Sequence, residues 1–137
     1  MTGTTESGPA PAPTASLDTA PLDLAMLEEM RAAMRPGAFG AVLDVFVSDT
    51  RQRLATARLA VGRGDGPALA AECHSLKSTL GSFGATAAAA LARRLEDAAA
   101  QDAAAAGPLL DRLEAASGTV LDELLARFSA TPGGGGG

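Results

Sequence analysis

The stretch Ala71-Glu72-Cys73-His74-Ser75-Leu76-Lys77-Ser78-Thr79-Leu80-Gly81-Ser82-Phe83-Gly84-Ala85 decides how this chain folds and where its chemistry lies. It contains the only histidine and the only cysteine of the 137 residues. Leu69, Cys73, Leu76, Leu80 and Phe83 recur at spacings of four and three, the apolar stripe of an amphipathic helix. At roughly 100° per residue, His74 falls about 140° from the centre of that stripe and faces solvent. Ala70, Ala71, Lys77, Ser78 and Gly81 share its outward face. Cys73 belongs to the buried stripe, and consecutive helical residues do not face each other, so the two do not form a Cys–His nucleophile pair.

An imidazole surrounded by alanine, serine and glycine is not placed there for packing. Gly81 sharpens the point, because a glycine inside a helix costs about 1 kcal/mol relative to alanine. It lies about two turns beyond His74 on nearly the same face. Fraying toward Gly84 is the plain explanation; a flat landing for another protein is the functional one. Lys77 follows His74 by three residues, so the two side chains are neighbours on the helix surface. A phosphoryl group on the imidazole would carry up to two negative charges, which a flexible ammonium can meet.

Working outward, Asp65 is an N-cap for a helix over 67–82, and Gly84 caps its end. Before it, Phe39, Leu43, Phe46, Thr50, Leu54, Ala57 and Val61 form one stripe over 38–61, ended by the Gly62–Pro67 turn. A shorter helix over 22–34 uses Leu27, Met30 and Met34 and stops at Pro36-Gly37. After the quoted stretch, a helix over 86–101 turns Ala88, Leu91, Leu95 and Ala98 inward. Gly107-Pro108 marks a turn, and a last helix over 108–128 uses Leu110, Leu113, Ser117, Val120, Leu124 and Phe128. No period-two run of β-branched residues suggests a strand. The expectation is an all-α fold: an antiparallel up-down-up-down four-helix bundle with an additional short N-terminal helix. Residues 1–20, rich in Thr, Ser, Pro, Ala and Gly, read as a disordered tail, and 130–137 as a flexible glycine-rich tail. The ordered domain is then 22–129.

Composition excludes several functions. The formal charge is −5 and the arginines are scattered, which argues against nucleic acid. No apolar run approaches the roughly 20 residues of a spanning helix, and no polybasic run suggests a membrane surface. One histidine and one cysteine without clustered carboxylates do not make a zinc site, so no metal is expected. Gly62, Gly64 and Gly66 lack a following Lys-Ser/Thr, so no nucleotide-binding loop is present. Ser75 and Ser78 have no second histidine with which to build a triad. The N-terminus lacks the basic start and apolar core of a signal peptide, and a single cysteine suits a reducing cytoplasm, the expected location.

These residues resemble the histidine phosphotransfer (HPt) domain family. The family pattern His-x-Leu-Lys-Gly/Ser, then Gly-Ala, then an apolar-spaced helix reaching Leu-Glu is matched by His74-Ser75-Leu76-Lys77-Ser78, Phe83-Gly84-Ala85, and Leu91, Leu95 and Glu96. The Gly64-Asp65 turn and Phe46 also fit, and the resemblance covers about residues 38–128. Ser78 stands where glycine is frequent, and Ala88 where leucine is common.

The resemblance implies that His74 accepts a phosphoryl group from a receiver-domain aspartate and passes it to another receiver in a two-component phosphorelay. Lys77 would stabilise the phosphoryl charge, with Ala70, Ala71, Ser78 and Gly81 as docking surface. Val42 and Val45, off the inward stripe of their helix, are either covered by the first helix or exposed for docking, and Val45 is the docking candidate. Receiver domains and a hybrid histidine kinase are the implied partners, with no cofactor on this chain and Mg²⁺ on the receiver. The protein would be a phosphocarrier without kinase activity, acting as a monomer. The alternative is an HPt-like module that binds a receiver or kinase without accepting phosphate.

Overall fold

A computed structural model describes residues 22–129, which fold into helices α1 (Leu24–Ala33), α2 (Ala38–Arg63), α3 (Gly66–Ser82), α4 (Thr86–Asp102) and α5 (Gly107–Leu124). A 3₁₀ turn, Ala103–Ala106, links α4 to α5, and a π turn, Leu125–Ser129, follows α5. No strand occurs among the described residues. Helices α2 to α5 form the four-helix bundle, and α3 and α4 pack against each other more extensively than any other pair. The expected tails, 1–20 and 130–137, lie outside the described residues.

Local chemistry sets the boundaries. The Asp23 carboxylate accepts from Met26 N at 3.1 Å, and Asp65 does the same for Ala68 N at 3.1 Å, each satisfying an orphan donor of a helix start. Asp23 is therefore the cap of α1, and the helix is shorter than the expected 22–34. Gly64 caps α2 in the left-handed region at φ 66°, so the helix runs to Arg63, two residues beyond the expected 61. Gly107-Pro108 does not form the turn between the last two helices. It opens α5, with the proline in the first turn, where its missing N–H is harmless. The reversal is made instead by Asp102, whose carboxylate accepts from Ala105 N at 3.3 Å, and by the 3₁₀ turn.

The core is mostly leucine and alanine. Leu43, Leu69, Leu76, Leu80, Leu95, Leu110, Leu113 and Leu124 are fully buried, each contributing about 2 kcal/mol of burial. All four phenylalanines join one cluster. Phe46 stacks on Phe83 at 4.0 Å, and Phe39 lies 6.5 Å from Phe83 and 5.2 Å, edge-on, from Phe128. The cluster ties the start of α2 to the end of α3, while Arg53–Glu72 at 3.1 Å and Arg58–Glu114 at 2.6 Å link α2 to α3 and α5 across the surface. In α4 the buried line runs through Ala88, Ala92, Leu95 and Ala99, whereas Leu91 and Ala98 sit half-buried on its shoulder. Small residues at the contact line let α4 approach its neighbours closely, and a leucine on the shoulder still reaches the core. Leu54, Val61, Met30, Met34 and Phe128 are likewise half-buried, packed against the core.

Helix α1 covers one end of the bundle through Leu27, which is fully buried. It is pinned to the α3–α4 turn by Asp23 N donating to Gly84 O at 2.9 Å. It does not cover Val42 and Val45, which are 37% and 68% exposed.

Candidate functional site

Helix α3 is capped by Asp65, stiffened by Pro67 in its first turn, and closed by Gly84 at φ 74°. Four of its side chains, Leu69, Cys73, Leu76 and Leu80, are fully buried, which fixes its rotation about its own axis. That rotation leaves His74 with a side chain 62% exposed. The histidine thus stands outward on a rigid, well-anchored helix.

The antiparallel α3–α4 hairpin brings Glu96 level with it. His74 Nδ1 stands 3.3 Å from Glu96 Oε2, and Lys77 Nζ stands 3.7 Å from Glu96 Oε1. One half-buried carboxylate therefore addresses both residues of the outward face, one oxygen to each. Its burial lowers the local dielectric, which strengthens both interactions relative to a fully exposed pair. The imidazole nitrogen turned toward the carboxylate is Nδ1; the other, Nε2, lies on the far side of the ring.

Cys73 is the neighbour in sequence but lies inside the bundle rather than on this face. Its thiol is fully buried. Burial, reinforced by the negative charges of Glu96 and Glu72, pushes it up to about 12.

Of the docking candidates, Ala71, Ser78 and Gly81 are exposed. A Cβ on Gly81 would meet nothing within 4 Å, so the surface there is open. Ala70 departs from the expectation: it is half-buried and packs against the core, because it sits on the shoulder of α3 that α4 approaches. Val45 is exposed but is not gathered into the histidine cluster. It borders a groove of about 430 Å³ with Ala41, Val42, Phe46, Asp49, Thr79 and Phe83. That groove lies on the α2 flank of α3, marked by the Arg53–Glu72 bridge, whereas Lys77 and Glu96 mark the α4 flank.

Glu96 is the site residue that sequence reasoning assigned no role. It entered only as the end of the Leu-Glu motif. The signal for it was present: the Gly84 turn lies near the midpoint between residues 74 and 96, so an antiparallel hairpin sets them side by side.

Among the described residues no group of three or more His, Cys, Asp or Glu is arranged to hold a metal ion. No helix there is long and apolar enough to cross a membrane.

No curated protein sequence matches this chain. The solved structure of histidine-containing phosphotransfer protein B (HptB) from Pseudomonas aeruginosa PAO1 matches it with a TM-score of 0.71 and 26% identity, over 80% of this chain and 98% of that one. Residues 41–131 match the Hpt domain family, a span that begins inside α2 and passes the end of α5. With the bundle, the exposed histidine and that span in agreement, the chain belongs to the Hpt domain family, whose members carry phosphoryl groups by histidine phosphotransfer in phosphorelays.

Proposed function

We propose that His74 is the phosphoacceptor, taking the phosphoryl group of a receiver-domain aspartate and delivering it to a second receiver. The observation that carries this reading is the pairing of an exposed imidazole with Glu96 at 3.3 Å. A carboxylate at Nδ1 favours the tautomer whose proton sits on Nδ1, which leaves the Nε2 lone pair free and outward. That lone pair attacks phosphorus, a P–N bond forms, the P–O bond to the aspartate breaks, and the aspartate leaves as a carboxylate. The ring keeps its Nδ1 proton and becomes cationic as the bond forms, and Glu96 stabilises that charge. Lys77, 3.7 Å from Glu96, is within the same cluster and turns to the phosphoryl oxygens.

Transfer runs in line between two proteins, so the acceptor face must be flat and accessible. Ala71, Ser78 and Gly81 keep it so, and the Val45 groove extends the docking surface onto α2. The Mg²⁺ and the acidic pocket belong to the receiver, and this chain supplies neither nucleotide nor cofactor. In this reading the protein is a cytoplasmic phosphocarrier without kinase activity. It acts as a monomer between a hybrid histidine kinase and a response regulator.

Incubation with a phosphorylated receiver domain tests the reading. Acid-labile, alkali-stable label is expected on the wild-type chain and none on His74→Gln. Label that survives the substitution removes His74 from the role. A wild-type chain that binds receivers yet never takes label is instead a docking module.

A further inference from the structure

Arg93 lies three residues before Glu96 on α4, roughly 60° around the helix and about 4.5 Å along it. It is exposed and makes no ion pair among the described residues. This is not for want of acids. Arg31, Arg53 and Arg127 each pair with a carboxylate one turn earlier, namely Glu28, Asp49 and Glu123. Arg93 has Glu96 and Asp97 at the same separations, but on its C-terminal side, which is the weaker orientation for a helical ion pair. Glu96 is turned away to His74 and Lys77. A guanidinium is thereby left free at the edge of the histidine face.

The charges at that face do not balance during transfer. Glu96 serves the imidazole, and Lys77, the only lysine of the chain, is shared with Glu96. One ammonium then faces an incoming phosphoryl dianion together with the carboxylates that hold it on the partner. We infer that Arg93 is the second cation of the phosphotransfer face, a docking residue engaged by the anionic site of an approaching receiver rather than by any group of the resting chain. The inference rests on the phosphotransfer reading of His74 and goes beyond it by assigning the α4 edge to partner capture. Arginine suits this role because its planar fork donates to carboxylate or phosphate oxygens two at a time.

Two phosphodonors separate docking from acceptor chemistry. Phosphoramidate, a small donor, needs no docking surface; a phosphorylated receiver does. Arg93→Glu is expected to label from phosphoramidate within about twofold of wild type. From the receiver it is expected to label about tenfold more slowly at low salt, and the deficit should shrink toward about twofold in 0.5 M salt as the charges are screened. Arg93→Ala should fall between, and Arg93→Lys should recover part of the rate. Arg94→Glu, roughly 160° around α4 from Glu96, is the control for net charge and should match wild type with both donors. Unchanged thermal melts establish that the variants are folded. Equal slowing by Arg93→Glu and Arg94→Glu, or no slowing by Arg93→Glu, overturns the assignment. Loss of labelling from both donors makes Arg93 part of the acceptor chemistry and overturns a docking role. A wild-type chain that takes no label from either donor overturns the phosphotransfer reading, and this inference with it.

Discussion

Cys73 and His74 are consecutive in sequence and opposite in environment: the thiol is fully buried, while the imidazole side chain is 62% exposed. The step of roughly 100° between neighbouring helical residues is enough to move a side chain from the core to the surface. Burial pushes the thiol from its ordinary 9.0 up to about 12, so the native protein has almost no thiolate at neutral pH. Thiol reagents at pH 8 are expected to leave the folded chain unmodified and to react on unfolding. The raised value also has a sign for stability. Between about 9 and about 12 the unfolded thiol loses its proton and the folded one does not, so stability falls as pH rises through that window. Below it, both states are protonated and the thiol contributes no pH dependence. Chemical denaturation of wild type and Cys73→Ala from pH 8 to 11 checks this; the alanine variant should lose less stability with rising pH. Identical slopes would show that the thiol is not held protonated by the fold.

In the proposed reading Glu96 orients the acceptor His74 from 3.3 Å, and its charge and its hydrogen-bonding capacity can be tested separately. Glu96→Gln retains an oxygen for Nδ1–H but no charge to stabilise the cationic ring. It is expected to accept phosphoryl about tenfold more slowly, and Glu96→Ala about a hundredfold more slowly, in keeping with the effect of removing a group that orients a histidine. Nitrogen chemical shifts of the imidazole provide the independent readout. Wild type should show predominantly the Nδ1-protonated tautomer, and Glu96→Ala a shift toward the Nε2-protonated one. An unchanged tautomer distribution would reduce Glu96 to a surface partner of Lys77.

Val45 tests the α2 side of the surface. It is 68% exposed, so an aspartate there meets water rather than core. Val45→Asp is expected to melt within about 0.5 kcal/mol of wild type, as surface changes generally do. Its receiver affinity should fall about tenfold, because a charge replaces apolar contact beside the Phe46–Phe83 floor of the groove. Titration calorimetry with the receiver measures this. Wild-type affinity would place the docking surface elsewhere.

Two buried hydroxyls mark places where the core is not optimal. Thr50 Oγ1 and Ser117 Oγ have no hydrogen-bond partner among the described residues, and both side chains are fully buried. A hydroxyl removed from water without a partner costs about 1–3 kcal/mol. Thr50→Val and Ser117→Ala are each expected to raise stability by about 1 kcal/mol, or about 4–8 °C in melting temperature for a domain of this size. Neither touches the histidine face, so transfer rates should not change. Destabilisation by either would mean that its hydroxyl has a partner after all.

The order of elements was legible because its signals are local. Asp65, Gly84 and the four-three apolar spacing of α3 act within a few residues of where they stand, and the same holds for His74 and Lys77 once the stripe is drawn. What escaped depends on contacts between helices. Along α4, alanines at 87, 88, 89, 90, 92, 98, 99 and 100 carry little hydropathic contrast, so periodicity alone does not separate a stripe through Leu91 and Ala98 from one through Ala92 and Ala99. The run Ala103–Ala106 hid a 3₁₀ turn for the same reason. Glu96 was missed because its role arises from the rotation of α4 relative to α3, which no periodicity within α4 specifies. Ala70 was misplaced for a related reason: a wheel drawn on one helix does not show the shoulder that a second helix covers.

Gly81 and Gly84, three residues apart, should respond to alanine in opposite directions. Gly84 sits at φ 74°, where an L-residue is strained by about 1–2 kcal/mol. A Cβ there would also lie 2.9 Å from Asp23 Cβ and 3.1 Å from Met26 Cε, pushing α1 off the end of the bundle. Gly84→Ala is therefore expected to lose at least about 2 kcal/mol and to melt about 10 °C lower. Gly81 lies inside α3, and its Cβ would meet nothing within 4 Å, so alanine there should gain about 1 kcal/mol through helix propensity alone. If Gly81 is retained to leave the histidine face flat, that gain comes with slower transfer. Gly81→Ala should accept phosphoryl a few-fold more slowly from a receiver, and Gly81→Leu at least tenfold more slowly, while both label normally from phosphoramidate. Thermal melts and transfer rates measured on the same preparations decide the matter. A stabilised Gly81→Leu that transfers at the wild-type rate would show that the partner does not land there.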